Sequence, residues 1–189
     1  MSRKIHLQDL ASDIESWILD RLSTRSKVFN GLPPCPYAKS AWIEGKVKTH
    51  HLDGTYEIKR HISAEIENYT YHWPKGIEVV VLGFDPLSIL PSHLSEIIDE
   101  TGPMLSKRGY TALEDHPFER EEVGGVWLNN GNWALVLLQP TEKLVEAREW
   151  LESKDYYNKW PEVIRNLCGR DNATNNLCKS GLGKDKLYS

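Results

Sequence analysis

The apolar positions Leu7, Leu10, Ala11, Ile14, Trp17, Ile18 and Leu22 recur at three- and four-residue spacing, which predicts an amphipathic helix over residues 6–23 with one buried face. The run that follows, Gly31-Leu32-Pro33-Pro34-Cys35-Pro36, breaks that period. Its prolines fix φ and push their predecessors towards extended backbone, so Cys35 falls in a stiff loop. Pro36 suits the first turn of a short helix over Tyr37–Glu44, which sets Cys35 at its N-terminal end.

Further along, the period alternates between strand and helix. Lys46 to His51 reads as a short strand, and Asp53-Gly54 as a turn into a helix carrying Ile58, Ile62, Ile66 and Tyr69 on one face. Ile77 to Phe84 is nearly all apolar and β-branched, the pattern of a strand covered on both faces. Pro91-Ser92 offers a cap for a helix with Leu94, Ile97 and Ile98, extending towards Gly109 past Gly102-Pro103, and Tyr110 to Leu113 resumes extended structure. A short strand near Val126, a turn at Asn129-Asn130-Gly131-Asn132 and a buried strand over Trp133–Leu138 come next. Thr141 is placed to cap a last helix with Leu144, Ala147 and Leu151 on one face, and a helical turn is expected near Val163.

This order predicts an α+β (or α/β) fold: a single domain with a mixed four- to five-stranded sheet covered by helices and right-handed crossovers between its parallel strands. The domain is expected over residues 1–168, with a polar tail at 169–189 that has little to bury. Composition fits a globular chain, at 40% hydrophobic and 26% charged residues. A formal net charge of −4 gives no general attraction for nucleic acid or anionic lipid, leaving a small molecule as the partner to expect. The first residues carry no apolar run long enough for a signal peptide or membrane span, and the three cysteines, Cys35, Cys168 and Cys178, form no CxxC pair. Both point to a soluble, cytoplasmic protein with reduced thiols.

Three places could carry chemistry. Cys35 at a helix N-terminus, with Lys39 one turn on, could be an acidified thiolate acting as nucleophile or soft ligand, or it could simply pack where the chain turns. The run from Glu114 to Glu122 sets five carboxylates around His116, suiting a general acid/base oriented by Asp115 or Glu119, or a solvated acidic loop. If His116, Cys35 and Asp115 converge, a mixed S/N/O set would suit a divalent metal, zinc or iron. The amides and indole of Asn129 to Trp133 could orient a polar ligand, although hairpin geometry alone also explains Asn and Gly there.

The segment Gly31 to Lys39, with Cys35-Pro36-Tyr37-Ala38-Lys39 at its end, resembles an uncharacterised bacterial family that carries a Cys-Pro-Phe-Ala-Lys motif just after its first helix and a Phe-His-Pro motif downstream. Asp115-His116-Pro117 stands at the matching place, and Asn130 to Leu138 resembles that family's later Asn-Arg-Ser-Pro-Tyr-Pro-Thr-Leu-His-Leu-Leu segment. Asp115 replaces the Phe, Gly131-Asn132 replaces an Arg-Ser-Pro portion, and Val136 replaces a strand histidine. The resemblance directs attention to the same two loops and names no reaction. Two functions follow from the residues: a small enzyme acting on a soluble metabolite through a Cys35/His116 site, or a non-catalytic interaction or regulatory protein in which the Cys-Pro loop is structural.

Overall fold

The central strands explain the architecture. In a computed structural model, which describes residues 9–53, 57–119, 122–123, 125–156 and 158, strand β2 (Val79–Phe84) sends Val80, Leu82 and Phe84 to one face and Val81 to the other. Strand β6 (Ala134–Pro140) does the same with Ala134, Val136 and Leu138 against Leu135 and Leu137. A strand buried on both faces must be apolar at every position, which is why these two runs lack polar alternation.

They lie at the centre of a four-stranded sheet ordered β1-β2-β6-β3, flanked by β1 (Val47–His51) and β3 (Tyr110–Asp115). β1 is parallel to β2, while β6 is antiparallel to both β2 and β3, so the first three strands in the chain point the same way. Helix α3 (Ile58–Tyr71) carries the chain from β1 to β2, and α4 (Pro91–Lys107) carries it from β2 over β6 to β3. Both pack on one face, through Ile62 and Ile66 of α3 and Leu94, Ile97 and Leu105 of α4. Both crossovers move in one direction, which gives them the same hand. Each fully buried aliphatic side chain in this layer contributes about 1.5–3 kcal/mol.

The opposite face is covered by α1 (Leu10–Trp17), the π-helical turn that continues it (Ile18–Leu22) and the short α2 (Ala38–Ile43), with α5 (Thr141–Ser153) tied in where Tyr37 donates a hydrogen bond to the Ala147 carbonyl at 3.2 Å. Asp9 caps α1 by accepting from the Ala11 amide. The first turn of α1 crosses β2 so closely that a Cβ on Gly83 would collide with the Leu10 side chain. Gly83 is therefore a packing residue, where the helix needs bare backbone beneath it.

Several expectations need correction. The first helix is not one uniform α-helix: it passes into the π turn at Ile18, and residues 6–8 lie outside the described residues. Thr141 is the first residue of α5 rather than its cap, Pro140 holds the cap position, and the Thr141 hydroxyl pairs with that of Thr111 at 2.8 Å. Helix α4 does continue past Gly102-Pro103, as expected, to Lys107. Val126 belongs to a two-stranded ribbon, β4 (Glu122–Val123) with β5 (Val126–Trp127), apart from the main sheet. Gly54, Val163 and the tail at 169–189 lie outside the described residues. These residues form one α+β domain, and no helix among them is long and apolar enough to cross a membrane.

Candidate functional site

The parallel direction of β1, β2 and β3 brings their C-terminal ends to one edge, together with the start of antiparallel β6. In open α/β sheets, ligands sit outside this edge. His116 and the Asn129–Trp133 turn both lie there.

Cys35 lies on the α1 side of the sheet, three residues before α2 begins at Ala38. Its amide donates to the Leu22 carbonyl at 2.8 Å, locking the proline-rich loop against the π turn. The thiol is shifted above its ordinary value: desolvation by burial outweighs the hydrogen bonds that the Ala38 and Tyr37 amides make to the sulfur. This reverses the expected acidification. The six residues of α2 present little dipole, and Lys39 is exposed and forms no hydrogen bond or ion pair with the described residues.

Asp115 and His116, adjacent at the end of β3, point to opposite faces, as successive strand residues must. Asp115 is opposite Leu135 in the register and is buried on the α1 side. Its Oδ1 accepts from the Asn129 side-chain amide at 2.7 Å; its Oδ2 accepts from the Asn130 backbone amide at 3.0 Å and from the Asn130 side-chain amide. Burial raises the Asp115 carboxyl above the usual carboxylate range, against the pull of these donors. The Asn130 side-chain oxygen, Oδ1, in turn accepts from the backbone amides of Asn132 and Trp133, at 2.9 and 2.7 Å. Asp115 thus builds the turn from below.

His116 is 2% exposed, and both ring nitrogens are occupied by backbone. Nδ1 accepts from the Phe118 amide at 3.2 Å, which leaves Nε2 to donate to the Ile89 carbonyl at 3.1 Å. Ile89 belongs to the core on the α3 and α4 side, so His116 pins the β2–α4 loop to the end of β3. Neither Asp115 nor Glu119 orients the ring; Glu119 closes the turn by donating its amide to the His116 carbonyl at 3.0 Å. The expected loop of solvated carboxylates around an available imidazole is therefore a buried strut at Asp115 and His116, while Arg120 and Glu121 lie outside the described residues.

Cys35 and His116 thus sit on opposite sides of the sheet and do not form a couple. Among the described residues, no three His, Cys, Asp or Glu side chains come together as a metal-ligand set, so the expected zinc or iron site from His116, Cys35 and Asp115 has no donor group to hold it.

What the fold does assemble at the sheet edge is a polar cleft of about 300 Å³ between α1 with its π turn and the Asn130–Asn132 turn. Asp13, Ser16, Asp20 and Arg21 line one wall; Asn130 and Asn132 line the other. Three hydrogen bonds stitch the walls together: Trp133 Nε1 to Asp13 at 2.8 Å, Trp17 Nε1 to the Leu128 carbonyl at 2.7 Å, and the Arg21 guanidinium to the Asn129 carbonyl at 3.1 Å. The Ser23 amide bonds to the Ile18 carbonyl, an i→i+5 step that re-aims Asp20 and Arg21 relative to a plain α-helix. Such π turns recur at functional sites. Gly131 has a φ of 92°, which only the glycine of this turn adopts without strain, and an Arg21 terminal nitrogen lies 3.9 Å from where a side chain there would begin.

The third sequence candidate, the Asn turn, is therefore half of a cleft, and the other half was missed. Part of its signal was present: Asp13, Ser16 and Asp20 form a polar stripe at helical spacing beside the apolar one, whereas Arg21 reads onto the apolar face unless the turn is π-helical. A smaller hollow of about 160 Å³ lies between the start of α3 and the β2–α4 loop, beside the exposed Leu87 and Leu90. Comparison with known protein families, with curated proteins and with solved structures finds no match for this chain.

Proposed function

We propose that this chain binds a small polar molecule in the cleft between α1 and the Asn130–Asn132 turn and acts through that binding, as a non-catalytic regulatory or carrier domain. The observation that carries the reading is the unpaired polar lining of a hollow at the C-terminal edge of the sheet. Asp20 forms no hydrogen bond or ion pair with any described residue, Arg21 keeps only its bond to Asn129, and the exposed Asn132 side chain stands across from them. Beneath this lining the frame is rigid, because Asp115 and Asn130 commit their side chains to the turn itself. A rigid frame under uncommitted polar groups lowers the ordering cost of binding.

The alternative of an enzyme working through Cys35 and His116 is the weaker reading, since the two groups lie on different faces and each is committed to backbone. Drug-sized ligands occupy roughly 300–1,000 Å³, so a cleft at the lower bound suits a small metabolite. The test is a thermal-unfolding screen against amino acids, sugars, nucleosides and phosphates, run on the wild type and on Asn132→Ala. A true ligand at about 100 times its Kd raises Tm by about 5–10 °C for a chain of this size. The shift should shrink in the variant. A screen with no shift, or one that Asn132→Ala leaves untouched, removes the reading.

A further inference from the structure

The charges that line the cleft are of both signs and do not neutralise each other. Arg21 forms no ion pair with Asp13, with Asp20 or with any other described residue, although all three line the same hollow. Asp20 has no hydrogen-bonding partner among the described residues, and Asp13 engages the Trp133 indole through one oxygen, Oδ2. Neighbouring opposite charges normally relax into contact. Here the guanidinium is drawn to the Asn129 carbonyl on the turn, at 3.1 Å, while the carboxylates stay on the helix wall. The bond to Asn129 uses one terminal nitrogen, and the other lies over Gly131, where the turn has no side chain to obstruct it.

Each simpler ligand class meets a group of the wrong sign. A phosphate or dicarboxylate drawn to Arg21 would face Asp13 and Asp20. A bare cation or diamine drawn to the carboxylates would face Arg21. A neutral sugar would match neither the guanidinium nor the carboxylates with an opposite charge. The volume of about 300 Å³ leaves room for one small ligand, so the complementary charges must reside on one molecule.

From this we infer that the cleft, if it binds a small molecule as proposed above, takes a zwitterion: a free α-amino acid or a closely similar compound. Its carboxylate pairs with Arg21, and its ammonium lies against Asp20, the carboxylate with no partner among the described residues. A guanidinium presents donors matched to a carboxylate, and an ammonium offers donors to a carboxylate. The Asn132 amide, on the turn, faces the remainder of the ligand.

Calorimetric titration tests this with the individual L-amino acids as probes, followed by the N-acetyl and C-terminal amide forms of the tightest one. Blocking either end should weaken binding by about tenfold to a hundredfold, the loss of one charge-assisted contact. In Arg21→Gln the amide should no longer be penalised relative to the free acid; in Asp20→Asn the penalty for N-acetylation should shrink. Both positions are exposed, so urea midpoints close to wild type serve as the folding control. Equal affinity for free and blocked forms overturns the zwitterion. Binding of a neutral sugar or inorganic phosphate with no amino acid bound overturns it too, while leaving the small-molecule reading in place. No binding by any probe class overturns both.

Discussion

The Cys35 loop and the Asp115 corner obey the same electrostatics and arrive at different roles. In each, burial disfavours the ionised form of a side chain, and N–H groups bonded to that side chain oppose the effect. At Cys35 the opposition comes from two backbone amides that belong to the turn into α2, and among the described residues no other hydrogen bond is made to the sulfur. At Asp115 the donors are the Asn129 and Asn130 side chains and the Asn130 amide, and through them the carboxylate sets the turn that walls the cleft. A perturbed titration marks a functional corner where other residues depend on the ionisable group, and marks mere packing where none do.

The sharpest way to break this comparison is to truncate both. Asp115→Ala leaves three buried N–H groups without their acceptor and should cost about 3–5 kcal/mol, the scale of removing one partner from a buried charged network. Cys35→Ala should cost about 1 kcal/mol. Urea unfolding at neutral pH measures both. Equal losses would mean that the Asn turn stands without its carboxylate and that Asp115 is no more organising than Cys35.

A second, smaller effect probes how α1 reaches the cleft. Gly83→Ala puts a methyl group into the Leu10 side chain and should cost about 1–3 kcal/mol. Leu10→Ala makes room for that methyl, so the double variant should be more stable than the sum of the single losses predicts, with a coupling of about 0.5–3 kcal/mol. Strict additivity in this double-mutant cycle would show that α1 does not rest on Gly83 and that the helix wall of the cleft is held in some other way.

The legible parts of the fold and the missed ones divide along a physical line. Periodicity reports burial, so β2, α3 and α4 were readable from Val80, Leu82, Ile62, Ile66 and Leu94, all of them core. Periodicity does not report pairing order, and the insertion of β6 between β2 and β3 depends on contacts distant in sequence. Nor does it report which face a loop side chain takes. His116 and Asp115 looked like one acidic cluster, yet strand alternation sends them apart. At Cys35 the helix dipole and burial argued for opposite readings, a thiolate or a packed thiol, and the sequence has no measure of how far the sulfur is desolvated. The place of Arg21 beside Asp20 in the cleft was not legible, because a π turn leaves no mark in the hydrophobic period.

The smallest expected effect lies at Cys35 itself. In a chain carrying Cys168→Ser and Cys178→Ser, alkylation by iodoacetamide should follow the thiolate fraction of Cys35 alone. Burial raises the folded thiol above the free-cysteine value of about 8.5. The alkylation midpoint should accordingly lie above that of glutathione, and the rate at neutral pH below it. The linkage has a definite sign. The unfolded chain gives up the thiol proton first, so the contribution of Cys35 to stability is fully present below about pH 8.5 and falls as the pH rises through the folded value. Urea midpoints of Cys35→Ala and its parent should therefore converge as the solution becomes more alkaline. A midpoint at or below that of glutathione, or midpoints that diverge with rising pH, would make Cys35 an activated thiol after all and return the loop to the chemistry that its proline-flanked sequence suggested.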